Sequence, residues 1–314
     1  MHPHAIIDLH CDTLTGCLEP GRCPDTLNDP ASQLSLSTLP RRTRWGQCCA
    51  IFIPDRLRGA NAVDFYEFHR QSFVRQTAAY SQHLAPCRTA GDIEQAWCRS
   101  KTAALLTVEN GSALAGDLDR VETLARDGVV MMTLTWNGQN EIASGWDTEE
   151  GLSDFGRAVI PVMEERHILA DVSHLNDRSF FEALEVLNKP FVASHSNARA
   201  VCSHRRNLTD DQIREMVSRR CLIGLNYADK FLRDGGGATL DDLFRHVAHF
   251  LELGAEDCLA LGSDFDGADI PPCLDSPRKA AGLYDFFLRR GLSHQLCGKI
   301  LFGNALTFFR ANLG

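Results

Sequence analysis

The sequence has no uninterrupted apolar stretch long enough to cross a lipid bilayer, which takes roughly 20 consecutive apolar residues. Its first apolar run, residues 5–9, is short and is interrupted by Asp8, so it does not resemble the apolar region of a secretory signal peptide. The chain also ends without the hydrophobic tail that a glycolipid anchor requires. We therefore expect a cytoplasmic protein without a membrane partner.

Clusters of basic residues are lacking as well. The 32 Lys and Arg residues are scattered along the chain, and the 41 Asp and Glu residues bring the formal net charge to −9. Nucleic acid is a dense polyanion and binds preferentially to surfaces of clustered positive charge. We therefore exclude nucleic acid as a partner, whereas the acidity by itself identifies no substrate.

No two cysteines have the C-x-x-C spacing of metal ribbons and redox motifs, although the chain has 12 cysteines. Cys48 and Cys49 are adjacent, while Cys221 and Cys258 lie in apolar, strand-like runs. Disulfide-rich scaffolds are usually much shorter than this chain of 314 residues. We interpret the cysteines as reduced and as mostly buried small apolar side chains.

Internal repeats and low-complexity linkers are also missing. Hydrophobic residues make up 44% of the chain, which is enough for one large core. Barrels of this length commonly form one domain. The sequence therefore predicts that residues 1–314 form a single domain.

What the chain does contain is a series of eight short apolar runs bounded by polar or turn residues. Most of them are near-continuous rather than alternating, which is typical of parallel strands covered on both faces. The runs comprise residues 5–10, 48–53, 103–109, 129–136, 168–174, 191–195, 221–226 and 258–264. Eight strands that alternate with helices predict an α/β fold of the (β/α)₈ or TIM-barrel type, and a doubly wound open sheet is the alternative.

Segments of helical periodicity separate several of these runs. Residues 117–126 show apolar positions at helical spacing, and Gly128 provides a stop. Residues 209–219 and 239–253 each open with a threonine that can cap a helix, followed by acidic residues in the first turn. Residues 293–312 predict a final amphipathic helical region.

Side chains that commonly bind metals stand at the ends of five of the eight runs. In a barrel, the carboxyl ends of the strands meet at one face, where active sites lie. The first run contributes two such residues at a spacing that puts both side chains on the same side of an extended chain. The complete set is His10, Asp12, Glu109, His174, His195 and Asp264. Three imidazoles and three carboxylates exceed the needs of one tetrahedral zinc ion and suit two metal ions bridged by a carboxylate.

Each of these residues also has a structural interpretation. A single strand-end histidine is usually a hydrogen-bonded structural residue, and Asp264 and Asp266 could simply be turn residues. Glu109 is more informative, because an unpaired buried carboxylate is costly. The coincidence of five strand ends, rather than any one residue, carries the inference. His246 and His249 are spaced like a ligand pair on a predicted helix, but they lie at no strand end, and we expect packing or surface residues.

The same strand ends resemble the motifs of the membrane dipeptidase (renal dipeptidase) family. The matching segments are the H-x-D motif at His10, the segment around Glu109, the Asp-Val-Ser-His run ending at His174, and residues 193–207 and 262–267. They occur in the family's order and span nearly the whole chain. The last two segments are the most specific, whereas the H-x-D motif alone would be weak.

The resemblance implies an amidohydrolase-like metallo-dependent barrel that holds two zinc ions, cleaves dipeptides and often forms a homodimer. By position it implies that His10 and Asp12 bind one zinc ion and that His174 and His195 bind the other. It also implies that Glu109 bridges the two ions. These roles follow from the family motifs and not from the spacing alone.

Further roles follow from the same resemblance, with one departure. Asp264 is implied as the proton acceptor beside the bridging water, and Arg206 as the group that holds the substrate carboxylate. The family has a histidine that stabilises the oxyanion where this chain has Trp136, whose indole donates one hydrogen bond and cannot become cationic. Loss of such a donor typically costs ~10²–10³ in rate. Asn137, Asn140 or the metal ions are the substitutes we consider, and we include Trp136 and Asn137 among the substrate-binding residues.

We therefore interpret the chain as the catalytic domain of a zinc-dependent dipeptidase, a hydrolase that uses a metal-bridging hydroxide. Its substrates would be dipeptides, including those with a C-terminal D-residue. One alternative is a two-metal hydrolase of another small amide, a lactone or an N-acyl amino acid. Another is a binding protein that retains metal but has lost catalysis through Trp136. A cysteine nucleophile is a further alternative, but no cysteine occupies a convincing catalytic position.

Overall fold

Parallel strands close into a barrel in the computed structural model, which describes residues 5–18 and 25–313 apart from the side chains of residues 17 and 18. In chain order the strands are β1 (Ala5–Asp8), β2 (Arg44–Phe52), β3 (Leu84–Cys87), β4 (Thr102–Glu109), β5 (Val129–Thr133), β6 (Leu169–Asp171), β7 (Val192–Ala193), β8 (Leu222–Leu225) and β9 (Leu259–Leu261). The barrel runs β1-β2-β4-β5-β6-β7-β8-β9 and closes where β9 pairs with β1. The predicted (β/α)₈ barrel is confirmed, and the open sheet is excluded by this closure.

The ninth strand, β3, lies outside the barrel and was not predicted. It pairs with the first half of β4, up to Leu105, whereas β5 pairs with the second half from Leu106 onward. A register shift between Leu106 and Thr107 separates the two halves. β3 has only four residues, and it contains Pro86, a residue type that occurs mainly in edge strands. It therefore has no apolar run of the kind that marks the barrel strands.

Helices surround the barrel between its strands. Among the described residues the α-helices are α1 (Ala60–Ala79), α2 (Ala90–Cys98), α3 (Asp119–Asp127), α4 (Asp154–Glu165), α5 (Asp177–Leu184), α6 (Asp210–Ser218), α7 (Asp229–Leu232), α8 (Leu240–Glu252), α9 (Pro277–Ala281), α10 (Leu283–Arg289), α11 (His294–Gly298) and α12 (Asn304–Asn312). Short 3₁₀ turns occur at Thr13–Leu18, Thr26–Asn28, Gly111–Leu114 and Ala255–Asp257, and a π-helical turn, Lys299–Gly303, joins α11 to α12. None of the described helices is both long and apolar enough to span a lipid bilayer.

The predicted helix boundaries hold to within about two residues. Gly128 ends α3 in the left-handed conformation, with φ of 92°, as its stop signal predicted. Thr209 caps α6, and its hydroxyl accepts the backbone N–H of Gln212 while the Gln212 side chain bonds back to Thr209. At the start of α8 the Asp242 carboxylate accepts both the backbone N–H and the hydroxyl of Thr239.

Two hydrophobic clusters lie on opposite faces of the barrel wall. Consecutive residues of β1 point into different clusters: Ile6 belongs to the larger cluster and Ile7 to the smaller one. The smaller cluster also contains Phe308 and Phe309 of α12. Ten cysteines have a described side chain; they form no disulfide with one another, and eight of them are buried. The prediction of mostly buried cysteines is therefore confirmed for this part of the chain.

His246 of α8 is fully buried and packs in the protein interior, in agreement with the prediction of a packing or surface residue. Its Nδ1 accepts the backbone N–H of Ala198 at 3.2 Å, so its Nε2 is the nitrogen that donates to the carbonyl of Leu232 at 3.0 Å. Burial lowers the pKa of His246 to about 4. A proton added to the ring would remove the acceptor of the Ala198 N–H and place a charge in the core.

This burial predicts a loss of stability in mild acid. The unfolded chain protonates His246 near its ordinary pKa of 6.5, while the folded chain stays neutral down to about pH 4. The free energy of unfolding should therefore fall as the pH falls through this window, with His246 contributing about 2 kcal/mol between pH 7 and pH 5. Chemical denaturation of the wild type and of His246→Asn at both pH values measures the difference, and parallel pH dependences would contradict the assignment.

Candidate functional site

The end of β1 supplies two side chains to the carboxyl face of the barrel. His10 and Asp12 are buried, and His10 Nε2 lies 3.4 Å from Asp12 Oδ2. Between them Cys11 forms a parallel bridge with Phe265, which keeps the chain extended beyond the end of β1. The two-residue spacing therefore places both side chains at one point, as predicted.

Left-handed backbone at two other strand ends turns further side chains to the same point. His174 has φ of 72° and Asp264 has φ of 65°, conformations that cost roughly 1–3 kcal/mol for residues with a Cβ. Asp264 donates its backbone N–H to the carbonyl of His10 at 3.2 Å. Gly267 allows Asp12 to fit, because a Cβ at this position would lie 1.8 Å from Asp12 Oδ2.

Glu109, at the end of β4, lies between the other candidates. Its Oε1 is 2.8 Å from His174 Nε2 and 3.7 Å from His195 Nε2. Its Oε2 is 3.5 Å from His10 Nε2. The two oxygens of one carboxylate thus face two different groups of side chains.

All six strand-end residues predicted from the sequence meet here. Within the described part of the chain, their ligand atoms form three groups close enough to hold a metal ion. The groups are His10 with Asp12 and Glu109, Glu109 with His174 and His195, and His10 with His195 and Asp264. The first two groups share Glu109.

Burial sets the protonation of these side chains. It raises the pKa of Glu109 to about 8, and the negative charge of Asp12 adds to the rise. Burial alone would lower the pKa of His10, but the carboxylates of Asp12 and Glu109 raise it well above its ordinary value. The pKa values of His174 and His195 are well below the ordinary value, because both rings are buried and lie near positive charges. Both rings are neutral at neutral pH, the form in which imidazole binds a metal.

The hydrogen bonds around the cluster show that its residues fit metal cations. His10 Nε2 and Asp12 Oδ1 are buried and have no hydrogen-bond partner among the described residues. Ser194 Oγ donates to a carboxylate oxygen of Asp171 at 2.5 Å, so it accepts from His195 Nδ1 at 2.7 Å. His195 Nε2 therefore carries a lone pair, directed into a group of further acceptors. Buried acceptors that face one another in this way are satisfied by a cation.

Several supporting residues were not predicted as part of the site. Asn226 follows β8 and donates from Nδ2 to Asp264 Oδ2 at 3.0 Å. Asp171 ends β6 and accepts hydrogen bonds from the backbone and the hydroxyl of Ser194. Asn226 ends a predicted apolar run and Asp171 begins the Asp-Val-Ser-His motif, and these positions are the sequence signals that could have identified them. Trp146, in the loop before α4, gave no such signal.

A cavity of 580 Å³ opens above the carboxyl ends of the strands. Asp12, Glu109, His174 and Asp264 contribute to its floor and walls. Its other lining residues include four aromatic side chains, the amide of a loop asparagine and one lysine: Phe52, Trp136, Trp146, Phe231, Asn137 and Lys230. The shape and mixed lining suit a small ligand with both polar and apolar parts.

Trp136 and Asn137, which the sequence analysis includes among the substrate-binding residues, both line this cavity. The Trp136 ring packs on Phe52 at 4.8 Å between centroids and lies 6.5 Å from the ring of His174. Asn140, the other substitute considered for the missing histidine, is buried and donates its Nδ2 to Asn110 Oδ1 and to a backbone carbonyl. Its amide is thus already used within the protein.

Arg206 is buried in the wall beside the cavity. Its Nη1 donates to Ser196 Oγ at 2.9 Å and its Nη2 to the carbonyl of His195 at 3.0 Å, while its Nε has no partner among the described residues. Burial lowers the pKa of Arg206 to about 10, so it remains charged at neutral pH. Lys230 is exposed and is the cation that lines the cavity itself, 4.9 Å from the centre of the Phe231 ring.

Comparison with known proteins identifies the family. The family model of the membrane dipeptidases, peptidase family M19, matches residues 1–312. The chain belongs to this family. It is therefore a metallo-dipeptidase, a hydrolase, as the sequence predicted. Family M19 implies metal ions, and the described residues around Glu109 form groups that could hold them.

Individual proteins are similar to this chain over most of its length. The crystal structure of dipeptidase AC, a metallopeptidase of family M19, superposes on this chain with a TM-score of 0.93. The two sequences are 26% identical, and the match covers 99% of both chains. A metallopeptidase from Rhodobacter sphaeroides, solved with a phosphinate mimic of the dipeptide L-Ala-D-Ala, shares the fold at 24% identity, with a TM-score of 0.92 and coverage of 98% of this chain and 99% of that one. An uncharacterized Klebsiella pneumoniae protein from the pqqA 5′ region is 30% identical over 254 residues, which are 76% of this chain and 93% of the relative.

Proposed function

We propose that this family M19 member is a two-zinc dipeptidase whose ions share the carboxylate of Glu109. The observation that carries the proposal is the division of its two oxygens, with Oε2 toward His10 and Oε1 toward His174 and His195. A carboxylate that faces two sets of ligands is the usual bridge of a two-metal site. His10 and Asp12 would complete one set, and His174 and His195 the other.

Bound zinc ions would polarise the scissile carbonyl and acidify a water molecule, which is the chemistry that such ions supply in hydrolases. The side chains of the protein must then hold the zinc ions, the water molecule and the substrate in place, and they must move one proton. Neutral His174 and His195 supply lone pairs, and Asp12 and Glu109 supply negative charge that offsets that of the cations.

Asp264 is the proposed proton acceptor. Its carboxylate lines the cavity, and its Oδ1 lies 3.9 Å from His10 Nε2. Burial raises the pKa of Asp264, which brings it closer to the pH at which a general base works well. Asn226 holds the other oxygen, Oδ2, so the carboxylate keeps a fixed orientation as it accepts a proton from water and returns it to the leaving nitrogen.

The proposed substrate is a dipeptide bound with its carboxylate toward Arg206 and Lys230. Both residues lie near the Phe231 ring, which lines the cavity, with Arg206 buried in the wall and Lys230 at the cavity surface. The aromatic side chains of Phe52, Trp136 and Trp146 offer apolar surface for a substrate side chain. The L-Ala-D-Ala mimic bound by the Rhodobacter sphaeroides metallopeptidase supports a C-terminal D-residue among the accepted substrates.

The function is tested by metal analysis combined with a panel of L,L and L,D dipeptides. We expect about two zinc ions per chain, cleavage of at least one dipeptide class, loss of cleavage on chelation and recovery when zinc is added back. N-acyl amino acids and lactones belong in the same panel. Zinc binding with cleavage of those compounds but not of dipeptides would favour the alternative substrate class, and a folded protein that takes up no metal would contradict the proposal.

Replacement of Asp264 tests the proton transfer. Asp264→Asn keeps the size of the side chain but removes its basicity, so we expect kcat to fall by ~10²–10⁴ while both zinc ions are retained. Asn226→Ala is a companion variant, in which a smaller loss is expected because the carboxylate remains but its orientation is released. Wild-type rates in Asp264→Asn would exclude Asp264 as the proton acceptor.

Replacement of Trp136 tests whether the chain lacks an oxyanion donor. Trp136→His introduces a hydrogen-bond donor at a position that lines the cavity, where the present indole lies 6.5 Å from the His174 ring between centroids. We expect kcat on dipeptides to rise by at least ~10-fold toward the ~10²–10³ that one donor contributes. Trp136→Phe is the matched control, because it has an aromatic ring but no donor. An unchanged kcat in Trp136→His would mean that the donor set of the wild type is already complete.

A further inference from the structure

One amide oxygen joins the cavity wall to a candidate metal ligand. Asn137 Oδ1 lies 2.7 Å from Trp146 Nε1 and 2.9 Å from His174 Nδ1. Trp146 also donates its backbone N–H to the carbonyl of His174 at 2.8 Å. The ring and the backbone of His174 are therefore held by the same short stretch of chain.

The chemistry of these groups fixes the direction of each hydrogen bond. An indole nitrogen can only donate, so the atom of Asn137 that faces Trp146 must be the amide oxygen and not the amide nitrogen. An amide oxygen carries no proton, so His174 Nδ1 must be the donor in the second bond. The proton of the neutral ring is thus on Nδ1, and Nε2 carries the lone pair.

This lone pair is directed at the centre of the site. His174 Nε2 lies 2.8 Å from Glu109 Oε1 and 2.9 Å from His195 Nε2. With the opposite tautomer the ring would present an N–H in this direction and could not bind a cation there. The orientation of Asn137 therefore decides whether His174 is a ligand.

Trp146 is itself held in place by its neighbours. Its ring packs edge-on against His204 at 5.0 Å between centroids, and His204 packs in the same way on Phe231 at 4.7 Å. The backbone carbonyl of Asn137 also accepts the N–H of Asp147, which follows Trp146. Rotation of the Asn137 amide would break the bond to Trp146 and leave an amide N–H facing the indole N–H.

We propose that Asn137 is a positioning residue for the metal centre, which, fixed by Trp146, holds His174 in the tautomer and orientation that bind a cation. The proposal rests on the proposed function, because it takes His174 as a metal ligand. It gives the Asn137 oxygen a role other than substrate binding. It also makes Trp146 both a wall of the substrate cavity and an indirect support of the metal.

Two substitutions of Asn137 separate this role from any direct contact with substrate. Asn137→Leu keeps approximately the same volume but removes the acceptor, whereas Asn137→Asp keeps an acceptor for both donors and removes only the amide N–H. Gln139→Leu is a matched control on the same loop, since Gln139 is exposed and its side chain forms no hydrogen bond with the described residues. Loss of an outer hydrogen bond to a metal-bound histidine typically weakens metal binding by ~10–100-fold.

The first measurement is the affinity for zinc, by competition with a chromophoric chelator. We expect Asn137→Leu to weaken the binding of the zinc ion that His174 and His195 would hold by ~10–100-fold, with Asn137→Asp and Gln139→Leu within ~3-fold of the wild type. Trp146→Phe keeps the ring but removes the donor that fixes the amide, so an intermediate loss is expected. Circular dichroism and the unfolding temperature of the metal-free proteins show whether each variant is folded.

The second measurement is ¹⁵N NMR of histidine-labelled, metal-free protein, with the His174 signals assigned from a His174→Gln variant. We expect the Nδ1–H tautomer for His174 in the wild type and in Asn137→Asp, and a mixture or the Nε2–H tautomer in Asn137→Leu. The tautomer reports on Asn137 even if the wild type binds no zinc, an outcome that would contradict the proposed function. An Nε2–H tautomer in the wild type, or unchanged zinc affinity in folded Asn137→Leu, would overturn the inference about Asn137.

Discussion

The carboxylate of Glu109 is the group on which the rest of the site depends. It is 3% exposed at the end of a barrel strand, where an unpaired charge would be strongly destabilising. The three imidazoles that face it follow three different strands, so closure of the barrel is what brings them to this carboxylate. Without a cation, burial pushes the pKa of Glu109 to about 8; with a cation on each side, both of its oxygens have a partner of opposite charge.

Hydrogen bonds behind the cluster explain why the ligand atoms keep their places. The carboxylate of Asp171 accepts from the backbone of Ser173 and Ser194 and from the hydroxyls of Thr133 and Ser194, so it is fully satisfied. Ser194 in turn fixes His195, as Asn137 fixes His174 and Asn226 fixes Asp264. Most of these supports lie at strand ends, which move less than surface loops, and a site built in this way is preorganised for its ligands.

The barrel and the central side chains could be predicted because both leave a signal in the sequence. A buried parallel strand reads as an apolar run, and a ligand such as His195 or Glu109 follows it directly, so position along the chain and position in space coincide. Strand β3 left no such signal, since it is an edge strand with a proline. The bond between Asn137 and Trp146 joins residues nine apart in an irregular loop, where no periodicity relates sequence to contact. The burial of Arg206 depends on chain packing around it, which residue type alone does not reveal.

Two cations that share Glu109 would lie at the carboxyl end of the barrel. Anomalous X-ray diffraction from crystals of the protein as purified, recorded above and below the zinc absorption edge, would locate them. We expect two anomalous peaks, one among His10, Asp12 and Glu109 and the other among Glu109, His174 and His195. A single peak without contact to Glu109, or no peak in crystals soaked with zinc, would contradict the two-cation proposal.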